Sequence, residues 1–412
     1  MLTMEEALER VLEGTVLAPE EEVPLSQAHM RLLARAVDSP RSIPPWDNSA
    51  MDGFAVRVAD TQQVPVTLRV VDTIPAGGVP SCEVGPGEAA RIMTGAPMPE
   101  GADTVVMVED THSVGDEVEV RASPKRAQHI RRAGEDVQPG ARVLEAGAVL
   151  TPGCVGMLAS LGLASVWVRR QPSVAILSTG DEVVPPGEPL GPGQIYSSNT
   201  HALMGLVWAA GAIPIDCGIA PDEPAGLAEA FRRCVGADVI VSTGGVSVGD
   251  FDYVKEVLEK EGAALDFWKV RMKPGKPLAY GRIAGTPAFG LPGNPVSCMV
   301  NFLQFVRPVL RTMLGSPSPH LPVVDAIMDE DVKKKPGRAW LERVCLSRSD
   351  DGEIHAIRTG SQSSGVLSSM VHADGFLLLP VDSEGCALGE RVRVQVIDWA
   401  FLEGAHPDFG WK

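Results

Sequence analysis

Val239-Ile240-Val241-Ser242-Thr243-Gly244-Gly245 is a short apolar run that closes on two hydroxyls and then on paired glycines. A continuous β-branched run bounded by a turn reads as a strand buried on both faces, as in parallel sheets. Outward from it the pattern repeats. Val174 to Leu177 and Ile213 to Ile215 read as further strands, separated by helical stretches from about Thr200 to Ala210 and from about Pro224 to Cys234. Strands alternating with helices between Pro172 and Gly315 imply a parallel α/β layer. Ligands of such sheets bind beyond the carboxyl ends of strands, so the loops after Leu177, Val241 and Phe289 carry the functional weight.

The flanks read differently. Thr3-Met4-Glu5-Glu6 is a capping box that starts a helix through Leu12, and a second helical pattern runs from Leu25 to Val37 before Ser39-Pro40 breaks it. Short alternating runs such as Val64 to Val71 and Asp103 to Val108 make residues 44–131 a mainly β inserted lobe. Residues 132–171, with a helix inside Ala148 to Leu161, return to the first unit, so 1–43 and 132–171 form one discontinuous domain. Residues 172–315 are the α/β domain. After Ser316-Pro317-Ser318-Pro319, alternating segments at Trp340 to Leu346, Phe376 to Leu379 and Arg391 to Ile397 make 316–412 a small β-barrel or sandwich.

At 412 residues the chain exceeds the roughly 250 to 300 at which one core stops growing, so two to four domains are expected. The 53 acidic residues against 36 basic ones give a net charge of -17, which argues against nucleic acid and anionic membranes and for small-molecule substrates. Seven cysteines, odd in number and without a CxxC pair, fit neither a disulfide framework nor a thiolate zinc site and imply a reducing cytoplasm. No apolar run reaches the roughly 18 residues that span a bilayer, and the start is not a basic signal peptide, so a soluble protein is expected.

Against that acidic background, Lys269-Val270-Arg271-Met272-Lys273-Pro274-Gly275-Lys276 gathers cations. In an extended chain residues 269, 271 and 273 share one face, which suits an anionic ligand; a solvated strand edge is the plain alternative. Three strand ends add hydroxyls, glycines and acids: Ser178-Thr179-Gly180-Asp181-Glu182, Thr243-Gly244-Gly245 with Ser247, Asp250 and Asp252, and Pro292-Gly293-Asn294-Pro295-Val296-Ser297. Bare glycines let backbone N–H groups approach phosphate. Asn294 and Asp222 read equally as starts of the helices that follow them. In the inserted lobe the eight residues from Trp46 to Gly53 carry Asp47, Asp52 and an amide between apolar flanks, and Asp52-Gly53 is either a hairpin turn or a ligand-binding acid.

Taken together, DNSAMDG (47 to 53), RIMTGAP (91 to 97), RRAGED (131 to 136), STGDE (178 to 182), TGGVSVGD (243 to 250), KPGKP (273 to 277) and LPGNPVS (291 to 297) resemble the molybdopterin molybdotransferases, the family that includes the E domain of gephyrin. The C-terminal segment matches more loosely, through PGR (336 to 338), Arg343 and the loop from Thr359 to Ser364. The resemblance implies a multidomain α/β protein. Its parts would be a parallel molybdopterin-binding layer, a helical and extended dimerisation domain, a mainly β inserted lobe and a C-terminal β-barrel. It implies a homodimer whose active cleft is shared between subunits, and transient contact with molybdopterin-delivering and cofactor-receiving proteins. Adenylylated molybdopterin and molybdate would be the substrates, Mg²⁺ the cofactor, and AMP would leave as molybdenum is inserted.

By motif position the resemblance assigns catalytic roles to Asp52, Thr94, Asp136, Glu182, Asp222, Asp252, Lys269 and Lys273. It assigns substrate binding to Arg131, Ser178, Thr179, Gly180, Asp181, Thr243, Gly244, Gly245, Ser247, Lys276, Pro292, Asn294 and Pro295, and the molybdate side to Ser297, Arg343 and Ser364. Asp52 and Asp252 would hold Mg²⁺, which prefers hard oxygen ligands. Molybdate and pyrophosphate are both anionic, so lysines, an arginine and hydroxyl donors must offset their repulsion. A nucleotide phosphohydrolase working through the α/β layer alone, or a non-catalytic scaffold, are the other readings. The inserted-lobe acids speak against the first and the full acid set against the second.

Overall fold

The computed structural model describes residues 1–245, 264–283 and 285–403. Its centre is a six-stranded sheet in the order Ile213–Ala220, Ser173–Thr179, Val239–Thr243, Thr286–Leu291, Pro277–Ile283, Ala264–Lys269. The first four strands are parallel, as the apolar runs imply, and the last two turn antiparallel. Alternation along each strand feeds two cores. Val174, Ile176, Val239 and Val241 pack under Ser198–Ala209 and the helical segment from Pro295 to Met313, while Ala175, Leu177 and Ile240 face Pro224–Arg233.

The helix Met4–Leu12 forms with its capping box: Thr3 Oγ1 accepts from Glu6 N at 3.1 Å and Glu6 Oε2 accepts from Thr3 N at 2.8 Å. Its Ala7 and Val11 are buried in the α/β core. The second helical pattern does not become a helix. Only Leu25–Gln27 makes a 3₁₀ turn, Met30 takes a positive φ of 60°, and the chain then runs extended to Val37–Asp38. Tertiary pairing overrides local propensity here. Leu32 bridges Val149 and Leu33 bridges Val168, so neighbouring leucines are buried on opposite sides, which a helix would not allow. Glu20–Pro24 likewise pairs with Ser165–Arg169 across more than 140 residues of chain.

Residues 53–120 make a separate six-stranded sheet, in which Gly53–Val56 lies between Thr104–Met107 and Glu88–Ile92. Gly53 therefore opens an interior strand and is not a hairpin turn. A Cβ there would meet Val106 O at 2.0 Å. The C-terminal strands close on themselves: Ala339–Arg348, Ile354–Arg358, Val323–Met328, Arg391–Val396 and Gly375–Leu379, which pairs back to the first. This is a barrel, so the sandwich alternative falls away.

The lysine strand departs from its reading. Lys269 ends the central sheet, Met272 N then turns back to Val270 O, and Met272–Lys273 joins the barrel beside Ala339 and Trp340. The three cations consequently share no continuous strand face.

Candidate active-site cleft

A cleft of about 1070 Å³ opens at the carboxyl ends of Ser173–Thr179, Val239–Thr243 and Thr286–Leu291, where the topology of an open parallel sheet puts it. Its floor is built from strand ends in contact. Gly244 has a φ of +97°, and a Cβ on it would lie 2.6 Å from both the carbonyl oxygen and Oγ1 of Thr179. Only glycine fits. Beside it Ser178, Ser197 and Thr200 join their buried hydroxyls, with Thr200 Oγ1 at 2.7 Å from Ser178 Oγ and 2.8 Å from Ser197 Oγ.

One wall is cationic. Lys273 and Lys276 come from the crossing segment and Arg338 from the barrel. The Lys273 ammonium stands 3.7 Å from the Trp340 ring centroid, a cation–π contact that holds it over the ring face. Ser363, Ser364 and Gln362 line the same side. Beneath them Arg343 is 1% exposed, donating from Nη2 to the carbonyls of Ser363 at 3.2 Å and Ser361 at 3.4 Å and from Nε to Ser369 Oγ at 3.1 Å. Its guanidinium supports the loop and does not line the cleft.

The opposite end is acidic, with Glu182 and Asp222 lining it and Asp181 adjacent. Burial pushes the Asp222 carboxyl up against the opposing hydrogen bond from the Asp181 backbone, and the charges of Glu182 and Asp181 add to the rise. Asn294 is the N-cap of Pro295–Asn301, through its backbone and without a side-chain capping bond, whereas the N-cap of Pro224–Arg233 is Glu223 and not Asp222. Among the described residues no group of three His, Cys, Asp or Glu side chains is placed to hold a metal ion.

One edge of the inserted lobe, with the segment 131–136 that leaves it, gathers three motifs. Thr94 donates to Asp52 Oδ1 from N at 2.7 Å and from Oγ1 at 2.9 Å, and these two bonds, the backbone one first, hold the Asp52 carboxyl below its ordinary range. Asp47 takes Ala133 N at 2.8 Å and Arg132 Nη1 at 2.5 Å, while Arg131 pairs with Asn48. Asp136 is exposed close by, its N donating to Ile43 O. None of these residues lines the cleft of its own chain.

The motifs and the fold find their counterpart in known proteins. Profiles of the MoeA N-terminal region (domain I and II), of a probable molybdopterin binding domain and of the MoeA C-terminal region (domain IV) match residues 2–162, 175–312 and 325–397. The molybdopterin molybdenumtransferase of Haemophilus influenzae is 40% identical over 403 residues, covering 96% of this chain and 98% of the relative. This chain belongs to the MoeA family. Bacillus subtilis has a molybdopterin molybdenumtransferase 37% identical over 96% of this chain and 94% of its own length. The crystal structure of the molybdopterin biosynthesis MoeA protein from Pyrococcus horikoshii OT3 superposes with a TM-score of 0.81 at 32% identity, covering 96% of this chain and all of that one.

Of the residues that the MoeA motifs single out, the cleft unites those of the strand ends, Ser178, Thr179, Gly180, Glu182, Thr243, Gly244 and Gly245, with Asp222, Lys273 and Lys276. Pro292, Asn294, Pro295, Ser297 and Ser364 complete that set. Lys269, Asp181, Arg343, the inserted-lobe residues Asp52, Thr94 and Arg131, and Asp136 just beyond that lobe stand outside it. Ser247 and Asp252 lie outside the described residues. Sequence reasoning passed over Ser197, Ser198 and Asn199, which look like helix-start residues, and Gln362, whose amide pairs with the Arg343 backbone. The only local signal was a polar run ahead of an apolar helix.

Proposed function

We propose that this chain is a molybdopterin molybdotransferase that inserts molybdate into adenylylated molybdopterin and releases AMP. The observation that carries the proposal is a single cleft in which glycine loops and hydroxyls at three strand ends face Lys273, Lys276 and Arg338. Bare backbone and hydroxyl donors suit a phosphoanhydride, and the lysines and arginine neutralise its charge and that of an approaching oxyanion. Ser297 and Ser364 add donors on the side assigned to molybdate. Molybdenum passes to the soft dithiolene sulfurs of the pterin, so no protein thiol is required. As the anhydride is cleaved, AMP leaves from the cationic wall.

The reading includes a homodimer in which the inserted lobe of one subunit meets the cleft of its partner. Its support is the gathering of Asp52, Thr94, Arg131 and Asp136 at one edge, outside the lining of the cleft in their own chain. Mg²⁺ is the proposed cofactor, held by Asp52 and Asp252. Asp52 fits that task, since its carboxyl is held ionised and both of its hydrogen bonds fall on Oδ1, leaving Oδ2 for a hard cation. The ion would supply positive charge to phosphate oxygens. The proposal extends to the domain division at residues 43, 131, 171 and 315, a cytoplasmic setting, and hand-over contacts with proteins that deliver molybdopterin or receive the cofactor. Among the described residues no helix is long and apolar enough to cross a membrane.

Anaerobic incubation with adenylylated molybdopterin, Mg²⁺ and molybdate tests it, with AMP and molybdenum cofactor quantified. Release of AMP that requires molybdate and matches cofactor formed is the expected result. Cleavage without molybdate would mark a phosphohydrolase, and neither product a scaffold.

A further inference from the structure

Asn199 sits in the first turn of Ser198–Ala209, and its carboxamide spans the cleft floor. Nδ2 donates to Thr243 Oγ1 at 2.9 Å and to Gly293 O at 2.8 Å. Thr243 Oγ1 sends its own hydrogen to Pro292 O at 3.1 Å. A carboxamide has two N–H donors, and both are committed here to loops that follow different strands. Oδ1 is buried and takes no hydrogen bond among the described residues. The side chain is therefore anchored through its donors alone. The loops it joins run close together, since a Cβ added to Gly293 would come within 3.6 Å of Gly244 Cα.

We propose that Asn199 is a positioning residue for the transferase reaction: its amide fixes the spacing of the Gly244 and Gly293 loops, against which adenylylated molybdopterin binds. The inference rests on the function proposed above. Helix capping does not account for the residue, because it lies inside the helix and its side chain points to Thr243 and Gly293. Serine or alanine at this place would leave Thr243 bonded to Pro292 alone and free the Gly293 carbonyl. Aspartate would set a carboxylate oxygen against that carbonyl, a repulsion relieved only when the acid is protonated. Its carboxyl should for that reason titrate above the usual range.

Adenylylated molybdopterin, titrated anaerobically by pterin fluorescence and used in steady-state AMP release, tests this on Asn199→Ala and Asn199→Asp, with thermal melting as the fold control. For Asn199→Ala the expected result is a KM raised about tenfold with kcat held within about twofold, the signature of lost ground-state positioning. A merely structural residue would reduce the active fraction and lower kcat with KM unchanged, and that result overturns the proposal. For Asn199→Asp, affinity relative to wild type should recover as pH falls from about 8 to 5, as the carboxyl gains a proton that it can donate. A ratio flat across that range overturns the proposal, and decides alone if Asn199→Ala does not fold. Wild-type protein that binds no adenylylated molybdopterin would overturn the functional reading and this inference with it. Normal wild-type binding with unchanged variants would sink only the inference.

Discussion

Asp222 has a cleft position, partial burial and two acidic neighbours, and all three favour its neutral form. A carboxyl raised in the fold contributes stability below its unfolded value of about 3.9, and that contribution is lost as pH rises through the folded value. Asp222→Asn should consequently melt higher than wild type at neutral pH, with the difference shrinking on acidification, while AMP release falls. A variant that melts lower at neutral pH would contradict this. Gly244 is the second residue whose chemistry is decided locally. With a positive φ and Thr179 at 2.6 Å from any Cβ, Gly244→Ala is expected to cost about 1–3 kcal/mol from backbone strain alone, read as a lower urea midpoint. The cleft should lose ligand binding in the same variant, because the loop must move away from Thr179.

Among elements, the two-residue strand Met272–Lys273 has the largest consequence. It leaves the central sheet and pairs with Ala339 and Trp340, so a lysine from the α/β layer is mounted on the barrel. Trp340 holds that ammonium 3.7 Å from its ring centroid. Trp340→Leu should weaken binding of the anionic substrate by about 1 kcal/mol, roughly fivefold, and Trp340→Phe by less, since a smaller aromatic face remains. Equal loss in both variants, measured as KM for adenylylated molybdopterin, would show that the ring face is not what orients Lys273. Local alternation pointed to a cationic strand face at 269, 271 and 273, but the turn from Met272 N to Val270 O broke it. In the same way Leu32 and Leu33 look helical until their partners Val149 and Val168, more than a hundred residues away, draw them into an extended chain.

At the scale of the whole molecule two sites exist in each chain, an acidic edge around Asp52 and a cleft around Lys273, and the proposed function needs both. If they meet across a dimer, Asp52→Ala and Lys273→Ala homodimers should each be inactive. A one-to-one mixture of the two, allowed to exchange subunits, should then regain about a quarter of wild-type activity, because half of the dimers carry one intact site. No recovery after verified exchange would place both residues of each site in one chain. Net charge is uninformative at this scale. The chain carries -17 overall, yet the proposed anion site lies where three cations converge.

The α/β layer, its strand ends, the inserted β lobe and the family motifs were legible from the amino acids alone. Burial periodicity is written along neighbouring positions, and glycine, proline and hydroxyl residues mark the turns where strands end. Only the folded chain decided that the C-terminal strands close into a barrel, that Lys273 rides on it, and that Asn199 bridges two loops. Each of these depends on partners far apart in sequence, whose meeting is set by strand pairing and packing and leaves no local periodic mark.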